Sequence, residues 1–351
     1  MGNRIKVLIV DDSALVREVL TQGLAQDPEI EVVGQAPDPY MARDLILKLK
    51  PDVLTLDVEM PHMNGVEFLR RLMPQHPLPV LMVSALTERG KKVTLDALEA
   101  GAVDFVTKPS IDIARGLNEM LGELQAKIKA VAKANVSGWK RDGSSLTRDI
   151  VDSYGNYAIS SKKIVAIGAS TGGTEAIRYI MSQFPANMPC VLIVQHMPPG
   201  FTAMFAERLN AQSEMTVKEA RNGDYLQQGY ALVAPGDYHI EIRHVEDVYR
   251  VYLHQREKVC GHRPSVDVLF DSLARYIGPD AVGVILTGMG DDGARGMVAM
   301  RQVGARTIAQ DEATSVIFGM PRMAYKRGGT DRLIPLNDIP GAILNLLAAG
   351  N

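Results

Sequence analysis

Cysteine is scarce in this chain, since only Cys190 and Cys260 occur among its 351 residues. Two thiols that lie outside any C-x-x-C pair cannot build a disulfide framework, which favours a reducing compartment. Long hydrophobic runs are also missing, because none reaches the roughly 20 residues that a membrane-spanning helix needs. Residues 1–6 enter a strand pattern directly, without the apolar core of a signal peptide. We therefore predict a cytoplasmic protein with no direct membrane insertion.

An excess of charge of one sign is absent as well. The formal net charge is -3 at pH 7, and the chain has no long block of lysine and arginine. A nucleic-acid partner is therefore not expected. The same balance, together with the lack of a helix-turn-helix pattern, counts against a DNA-binding response regulator. The chain is long enough for two domains, since 351 residues exceed the size of one typical domain.

Residues 1–128 alternate short apolar runs with segments in which apolar residues recur at helical spacing. The apolar runs are 7–10, 31–34, 53–56, 80–83 and 102–106. Five β–α repeats predict a parallel sheet that is covered on both faces. We predict an α/β fold of the (βα)5 flavodoxin-like type for this part of the chain.

The alternation is lost over residues 129–160, which are polar, carry glycine and serine and predict a linker. The only tryptophan, Trp139, lies there, either exposed or docking one domain on the other. Residues 161–351 resume the alternation, with apolar runs at 164–167, 191–194, 230–233, 282–286 and 307–309. The segment from His239 to His254 alternates apolar and polar residues, which predicts an antiparallel hairpin. We predict a second, doubly wound and mainly parallel α/β domain that contains this β-hairpin.

Carboxylates end two of the predicted strands of the first domain. Asp11 and Asp12 close the first strand and Asp57 closes the third, so all three reach the carboxyl edge of the sheet, where ligands bind in such folds. Converging carboxylates repel one another unless a cation lies among them, and Mg²⁺ prefers such hard oxygen ligands. Ser84 and Lys108 end the fourth and fifth strands and add a hydroxyl and an ammonium group. This set predicts phosphoryl transfer onto an aspartate.

A capping role for Asp12 at the following helix is the structural alternative. Together with Phe105 and Pro109, however, these positions resemble the two-component receiver domain. The resemblance implies that Asp57 is the phosphoacceptor and that Ser84, Phe105 and Lys108 are the switch residues. It also implies a Mg²⁺ site formed by Asp11, Asp12, Asp57 and the backbone carbonyl of Glu59, and a candidate cis peptide between Lys108 and Pro109.

The second domain contains the stretch Gly168-Ala169-Ser170-Thr171-Gly172-Gly173 between an apolar run and a helical segment. A strand, a tight turn and a helix present the serine of G-x-S-x-G as an exposed nucleophile. A dinucleotide-binding loop is the alternative, but Ser170 occupies the position of the second glycine that such a loop needs. A Walker A loop is excluded, because no Gly-Lys-Ser/Thr follows. Ser170 is therefore the predicted nucleophile.

A serine nucleophile needs a base and a group that orients the base. His196 closes the strand after the elbow, whereas the other six histidines lie in turn, hairpin or loop segments and are expected to be mostly solvated. A glycine-rich turn after residues 282–286 carries Asp291 and Asp292, and its backbone N–H groups suit an oxyanion hole. The chain order Ser–His–Asp differs from that of α/β-hydrolases, which predicts a different fold with convergent chemistry.

Further motifs of the second domain extend the pattern. They are Gln195-His196-Met197-Pro198, Ala234-Pro235-Gly236, His262-Arg263-Pro264-Ser265-Val266-Asp267 and Leu286-Thr287-Gly288-Met289-Gly290. With these motifs the whole chain resembles the chemotaxis response-regulator methylesterases of the CheB family. The resemblance implies a triad of Ser170, His196 and Asp292 and an oxyanion-hole N–H from Met289. Asp291 stands where the family often has asparagine, and Asp292 is kept as the partner of His196 because it precedes Gly293 as the motif requires.

The same resemblance implies the activity and the partners. The substrates would be glutamate methyl esters on the cytoplasmic helices of methylated chemoreceptors, with deamidation of selected receptor glutamines. A chemotaxis histidine kinase would be the phosphodonor, Mg²⁺ would serve the receiver, and ester hydrolysis would need no cofactor. We expect the unphosphorylated receiver to cover the Ser170 cleft. The triad alone would also suit a generic small-ester hydrolase.

Overall fold

The structure is a computed structural model that describes residues 4–84, 87–108, 113–136 and 163–348. It divides into two compact units, Met1–Ser144 and Ser145–Asn351, and each is treated by itself below. Two of the expectations above, the role of Trp139 and the peptide bond before Pro109, lie outside the described residues.

The first unit is a five-stranded parallel sheet, which confirms the predicted (βα)5 fold. Its strand order is β2-β1-β3-β4-β5. The strands are β1 (Ile5–Val10), β2 (Ile30–Ala36), β3 (Val53–Asp57), β4 (Val80–Ser84) and β5 (Asp104–Thr107). The helices are α1 (Ala14–Leu24), α2 (Pro39–Leu49), α3 (Gly65–Gln75), α4 (Glu88–Glu99) and α5 (Ile113–Val131). Strands β3 and β4 are buried at every residue, as expected for a sheet with helices on both faces.

Side-chain caps begin the first four helices. Ser13, Asp38, Asn64 and Thr87 each accept a backbone N–H from the first turn of the helix that follows. Ser13, and not Asp12, therefore caps α1, which leaves the Asp12 carboxylate available at the edge of the sheet. Helix α5 ends at Val131, and Ile128 and Val131 in its last turn are both fully buried. The limits of the domains and of the linker stay predictions.

The second unit is a seven-stranded parallel sheet with a separate antiparallel hairpin, in agreement with the predicted fold. The strand order is β14-β13-β12-β6-β7-β9-β8. The sheet strands are β6 (Ile164–Ala169), β7 (Val191–Gln195), β8 (Thr216–Glu219), β9 (Tyr230–Val233), β12 (Ala281–Ile285), β13 (Arg306–Gln310) and β14 (Leu333–Ile334). The hairpin pairs β10 (His239–Val245) with β11 (Val248–His254). Edge strands β8 and β14 were not predicted, since they are short and lack a sustained apolar run.

Within residues 163–348, six helices accompany these strands: α6 (Gly173–Ser182), α7 (Phe201–Gln212), α8 (Val266–Tyr276), α9 (Ala294–Gln302), α10 (Met320–Lys326) and α11 (Ile339–Ala348). Helix α8 packs against hairpin strand β10 and against α9. The inward residues of the hairpin, among them Ile240, Ile242 and Val251, join the same buried cluster as Leu269 and Phe270 of α8. The hairpin thus covers α8 and fixes the place of its N-terminus.

Each sheet has one point at which the strand order reverses. In the first unit β1 lies between β2 and β3. In the second unit β6 lies between β7 and β12. Crevices for ligands open at the carboxyl ends of the strands beside such points. Asp11 and Asp57 follow or end the strands at the first reversal, and Ser170 and Asp292 follow those at the second.

Candidate functional site

Three carboxylates meet at the edge of the first sheet. Asp11, Asp12 and Asp57 each offer an oxygen atom, and these atoms lie within 4.8 Å of one another. Asp11 and Asp57 are buried, whereas Asp12 is exposed. Lys108 Nζ lies 2.8 Å from Asp11 Oδ2 and 3.1 Å from Asp57 Oδ2. The structure thus brings together four of the side chains predicted to form this site.

Burial dominates the electrostatics of Asp57. It raises the pKa of this carboxyl from 3.8 to about 6, because the charge of Lys108 only partly offsets the desolvation and the nearby charge of Asp11 adds to it. The pKa of Lys108 is raised despite its own burial, since the charges of Asp57 and Asp11 stabilise the ammonium. One lysine shared by two buried carboxylates leaves this site short of positive charge.

The remaining receiver residues have separate partners. The Ser84 hydroxyl is buried and accepts a hydrogen bond of 2.5 Å from Thr94 Oγ1 in α4. Phe105 is also buried, with Lys127 Nζ 5.5 Å from the centre of its ring. The Glu59 side chain points to Arg89 at 3.5 Å, so a role at the cluster falls to its backbone. Ser84 is therefore engaged by α4 in this conformation.

The acidic cluster fits a hard divalent cation. Mg²⁺ takes oxygen ligands and keeps several waters, so a cluster of two buried carboxylates and one exposed carboxylate suits it. The shortage of positive charge at Asp57 points the same way. When bound, Mg²⁺ offsets the charge of the carboxylates and of an incoming phosphoryl group.

Ser170 follows the last residue of β6 and precedes α6 by three residues, which confirms the predicted strand–turn–helix context. The turn requires Gly172, whose φ of 76° lies in the left-handed region that residues with a Cβ rarely adopt. The Ser170 N–H donates to the Thr287 carbonyl at 3.1 Å, and its carbonyl accepts from Gln195 Nε2 at 2.9 Å. The serine backbone is thereby tied to the ends of the strands on both sides of β6.

His196 and Asp292 form a buried hydrogen-bonded pair. The side chains are 6% and 1% exposed, and His196 Nε2 lies 2.8 Å from Asp292 Oδ2. Nε2 must carry a proton to donate to an ionised carboxylate, so the lone pair of a neutral ring lies on Nδ1. His196 Nδ1 is buried and has no hydrogen-bond partner among the described residues. The ring therefore has one nitrogen fixed and the other available to accept a proton.

Asp292 is held at the N-terminus of α8. Its two oxygens accept hydrogen bonds from Ser265 Oγ at 2.7 Å and from the backbone N–H groups of Val266 and Asp267 at 2.7 and 3.0 Å. Burial alone would raise the pKa of Asp292, but the hydrogen bond and charge of His196, followed by these donors, lower it from 3.8 to about 2. These contacts stabilise the ionised form of the Asp292 carboxylate.

Asp291, the other carboxylate of the turn, has a different partner. It is half exposed and forms an ion pair with Arg327. Asp292, the carboxylate predicted from the sequence, is the one that contacts His196.

The loop before α8 holds contacts that the sequence did not predict. His262 was expected to be solvated with most other histidines, but its ring stacks on His196 with centroids 3.8 Å apart and planes inclined by 12°. His239 is fully buried as well. His262 and Ser265 belong to one sequence motif, which was a signal that this loop has a role. The contacts of each residue depend on long-range packing, so the local sequence does not show what that role is.

The loop after β12, which carries the predicted oxyanion-hole residue Met289, lies close to Ser170. A Cβ added at Gly288 would lie 2.8 Å from Ser170 Cβ, so only glycine allows this loop to approach the serine so closely. Met289 follows directly, and its side chain is 37% exposed. A backbone N–H at Met289 is therefore close in sequence to the point of closest approach to Ser170.

A serine elbow beside a buried histidine–aspartate pair is typical of a serine hydrolase, and an acidic cluster on a (βα)5 sheet is typical of a phosphorylation-controlled protein. Residues 165–343 match the family described as CheB methylesterase, and residues 7–120 match the response regulator receiver domain. The chain belongs to the CheB methylesterase family and carries a receiver domain before the catalytic domain.

Curated relatives align with nearly the full chain, and a solved structure aligns with its catalytic domain. A protein-glutamate methylesterase/protein-glutamine glutaminase of Syntrophotalea carbinolica is 57% identical over 349 residues, which is 99% of each chain. One of Salmonella typhi is 50% identical over 351 residues, covering 99% of this chain and 98% of its own. The crystal structure of the Thermotoga maritima CheB methylesterase catalytic domain is 39% identical, with a TM-score of 0.52, and covers 52% of this chain and 98% of its own.

Among the described residues, no helix combines the length and the apolar character that crossing a membrane requires.

Proposed function

We propose that this chain is a cytoplasmic, phosphorylation-regulated protein-glutamate methylesterase of the chemotaxis system that also deamidates selected receptor glutamines. Its substrates are the cytoplasmic helices of methylated chemoreceptors. The observation that carries the proposal is the pairing of His196 with Asp292 beside the Ser170 elbow in a chain of this family.

The first step is acylation of Ser170. His196 Nδ1 takes the proton of the Ser170 hydroxyl while Oγ attacks the carbonyl carbon of the γ-methyl ester. Asp292 stabilises the resulting imidazolium through the hydrogen bond to Nε2. The backbone N–H of Met289 donates to the oxyanion, which is where the negative charge develops.

The second step releases the products. The tetrahedral species collapses, the C–O bond to the methoxy group breaks, and His196 returns its proton so that methanol leaves. Water then attacks the acyl group with His196 again as the base, which frees the glutamate carboxylate and restores Ser170. Ammonia takes the place of methanol when the substrate is a glutamine.

The receiver supplies control. Asp57 Oδ attacks the phosphohistidine of a chemotaxis histidine kinase, a P–O bond forms, the P–N bond breaks, and the kinase imidazole leaves. Asp11, Asp12, Asp57 and the Glu59 carbonyl would hold Mg²⁺, and Lys108 would pair with the phosphoryl group. The added charge draws Ser84 from Thr94 toward the phosphoryl oxygens and repositions Phe105, which relieves inhibition of the catalytic domain.

Methanol release from a methylated receptor fragment tests the proposal. We expect release by the full chain, and faster release after addition of a small phosphodonor with Mg²⁺. Absence of methanol under both conditions would refute the esterase assignment. Methanol release that does not change when the phosphodonor is added would refute only the proposed control by the receiver, and the esterase assignment would stand.

A further inference from the structure

The ring stack on His196 is the feature that the mechanism above does not use. His262 lies face to face with His196, with ring centroids 3.8 Å apart and planes only 12° from parallel. The hydrogen bond to Asp292 fixes one edge of the His196 ring. A single hydrogen bond at Nε2 does not by itself stop the ring from tilting about that contact, and Nδ1 has no hydrogen-bond partner among the described residues that would do so.

His262 is itself rigidly held. Its backbone exchanges two hydrogen bonds with Val259, of 2.9 and 3.1 Å, across a tight turn whose central residues Cys260 and Gly261 have φ values of 51° and 80°. The next residue, Arg263, contacts Asp237 at 2.6 and 2.9 Å. It also donates to the carbonyls of Gln255 and Arg256 at 2.9 Å. The His262 ring therefore projects from a backbone that is anchored on both sides.

Catalysis by His196 depends on small displacements of this ring. Nδ1 must reach the Ser170 hydroxyl while Nε2 stays on Asp292, and a misplacement of about 1 Å costs roughly 100-fold in rate. Functional side chains hold such geometry only when neighbouring groups lock their rotamers. A flat ring against the face of His196 blocks tilting, and the hydrogen bond to Asp292 blocks rotation within the plane.

We propose that His262 is a positioning residue for ester hydrolysis: its ring fixes the plane of His196 so that Nε2 stays on Asp292 and Nδ1 faces Ser170. The proposal rests on the proposed function, since it assigns His262 a part in the reaction of the same site. It requires the flat face of His262 and not its ring nitrogens.

Two substitutions of similar bulk separate these requirements. His262→Phe keeps a flat ring, whereas His262→Leu fills the space without one. We expect kcat for methanol release to fall about 10- to 100-fold in His262→Leu. In His262→Phe it should stay within about threefold of the unmodified enzyme. KM should be unchanged in both variants. His244→Leu is the matched control, because His244 is an exposed histidine of the hairpin that packs beside Tyr249.

Proton NMR provides a readout that does not depend on activity. The Nε2 proton of His196 bonded to Asp292 should give a downfield resonance, assigned by its loss in Asp292→Asn. We expect this resonance to persist in His262→Phe and to shift or broaden in His262→Leu. An unaltered resonance with unaltered kcat in His262→Leu would overturn the proposal, and so would a loss of kcat in His262→Phe as large as in His262→Leu. If Ser170→Ala stays active, the proposed function fails, while the NMR comparison still decides the role of His262.

Discussion

Asp57 and Asp292 both stand at the carboxyl edge of a parallel sheet, beside the point where the strand order reverses, and both are nearly excluded from solvent. Their surroundings differ. Asp292 accepts hydrogen bonds from an imidazole, a hydroxyl and two backbone N–H groups. Asp57 accepts one backbone N–H and shares Lys108 with Asp11. The pKa is consequently about 2 for Asp292 and about 6 for Asp57.

The difference in hydrogen-bond donors matches the two roles that we propose for these carboxylates. A carboxylate surrounded by donors is stable as an anion and holds the charge of an adjacent imidazolium. A carboxylate with few donors is poorly stabilised and more basic, which favours its reaction with a phosphoryl group and the binding of a cation. Burial is common to both sites, so it is the number of hydrogen-bond donors that separates the pKa of Asp292 from that of Asp57.

The largest expected loss of methylesterase activity is at Ser170, beside the point where the strand order of the second sheet reverses. Ser170→Ala removes the nucleophile, and methanol release should fall by about 10⁵-fold or more, because loss of a triad nucleophile typically costs this much. Phosphorylation of Asp57 by a small phosphodonor should be unchanged in the same variant. Retention of more than about one part in 10⁵ of the activity would exclude Ser170 as the nucleophile.

The two adjacent carboxylates offer a matched pair. Asp292→Asn removes the charge that holds His196 and should lower kcat about 10⁴-fold. Asp291→Asn, which breaks only a half-exposed ion pair with Arg327, should leave kcat within about threefold. Steady-state methanol release measures both variants. Equal losses in the two would show that both carboxylates contribute to orientation of the imidazole.

A substitution at Asp57 in the first sheet should change the regulation of methanol release and not the hydrolysis reaction itself. Asp57→Asn removes the proposed phosphoacceptor, so we expect basal methanol release to stay near that of the unphosphorylated chain. Stimulation by a phosphodonor with Mg²⁺ should be lost, and allosteric coupling of this kind is typically worth roughly 5- to 150-fold. Stimulation that survives in Asp57→Asn would place the phosphoacceptor elsewhere.

The smallest effect is a dependence of stability on pH. Because folding raises the pKa of Asp57 from 3.8 to about 6, its favourable contribution is complete below pH 3.8 and is lost as the pH rises through 6. At pH 7 without divalent cations, Asp57→Asn should therefore stabilise the receiver by about 1–3 kcal/mol. The gain should vanish near pH 4. Calorimetry of the receiver transition at both pH values tests this, and an equal gain at both would exclude the ionisation of Asp57 as its cause.

The positions at strand ends could be predicted from the sequence because their chemistry follows the alternation of strands and helices. Ser170, His196, Asp57 and Lys108 each follow or end an apolar run, and parallel strands bring such residues to one edge. A different pattern, the alternation of apolar and polar residues from His239 to His254, predicted the hairpin.

The stacking of His262 and the capping of Asp292 by α8 could not be predicted, since both depend on contacts between segments far apart in the chain. Ser265 and Asp292 are 27 residues apart and meet only because the hairpin and α9 pack against α8.

The opposite tuning of the two carboxylates is tested most directly by ¹³C NMR titration of the aspartate carboxyl groups without divalent cations, assigned with Asp57→Asn and Asp292→Asn. The structure predicts a midpoint near pH 6 for Asp57, while Asp292 should remain ionised down to about pH 2. Titration of both groups near their common unperturbed value of 3.8 would contradict it.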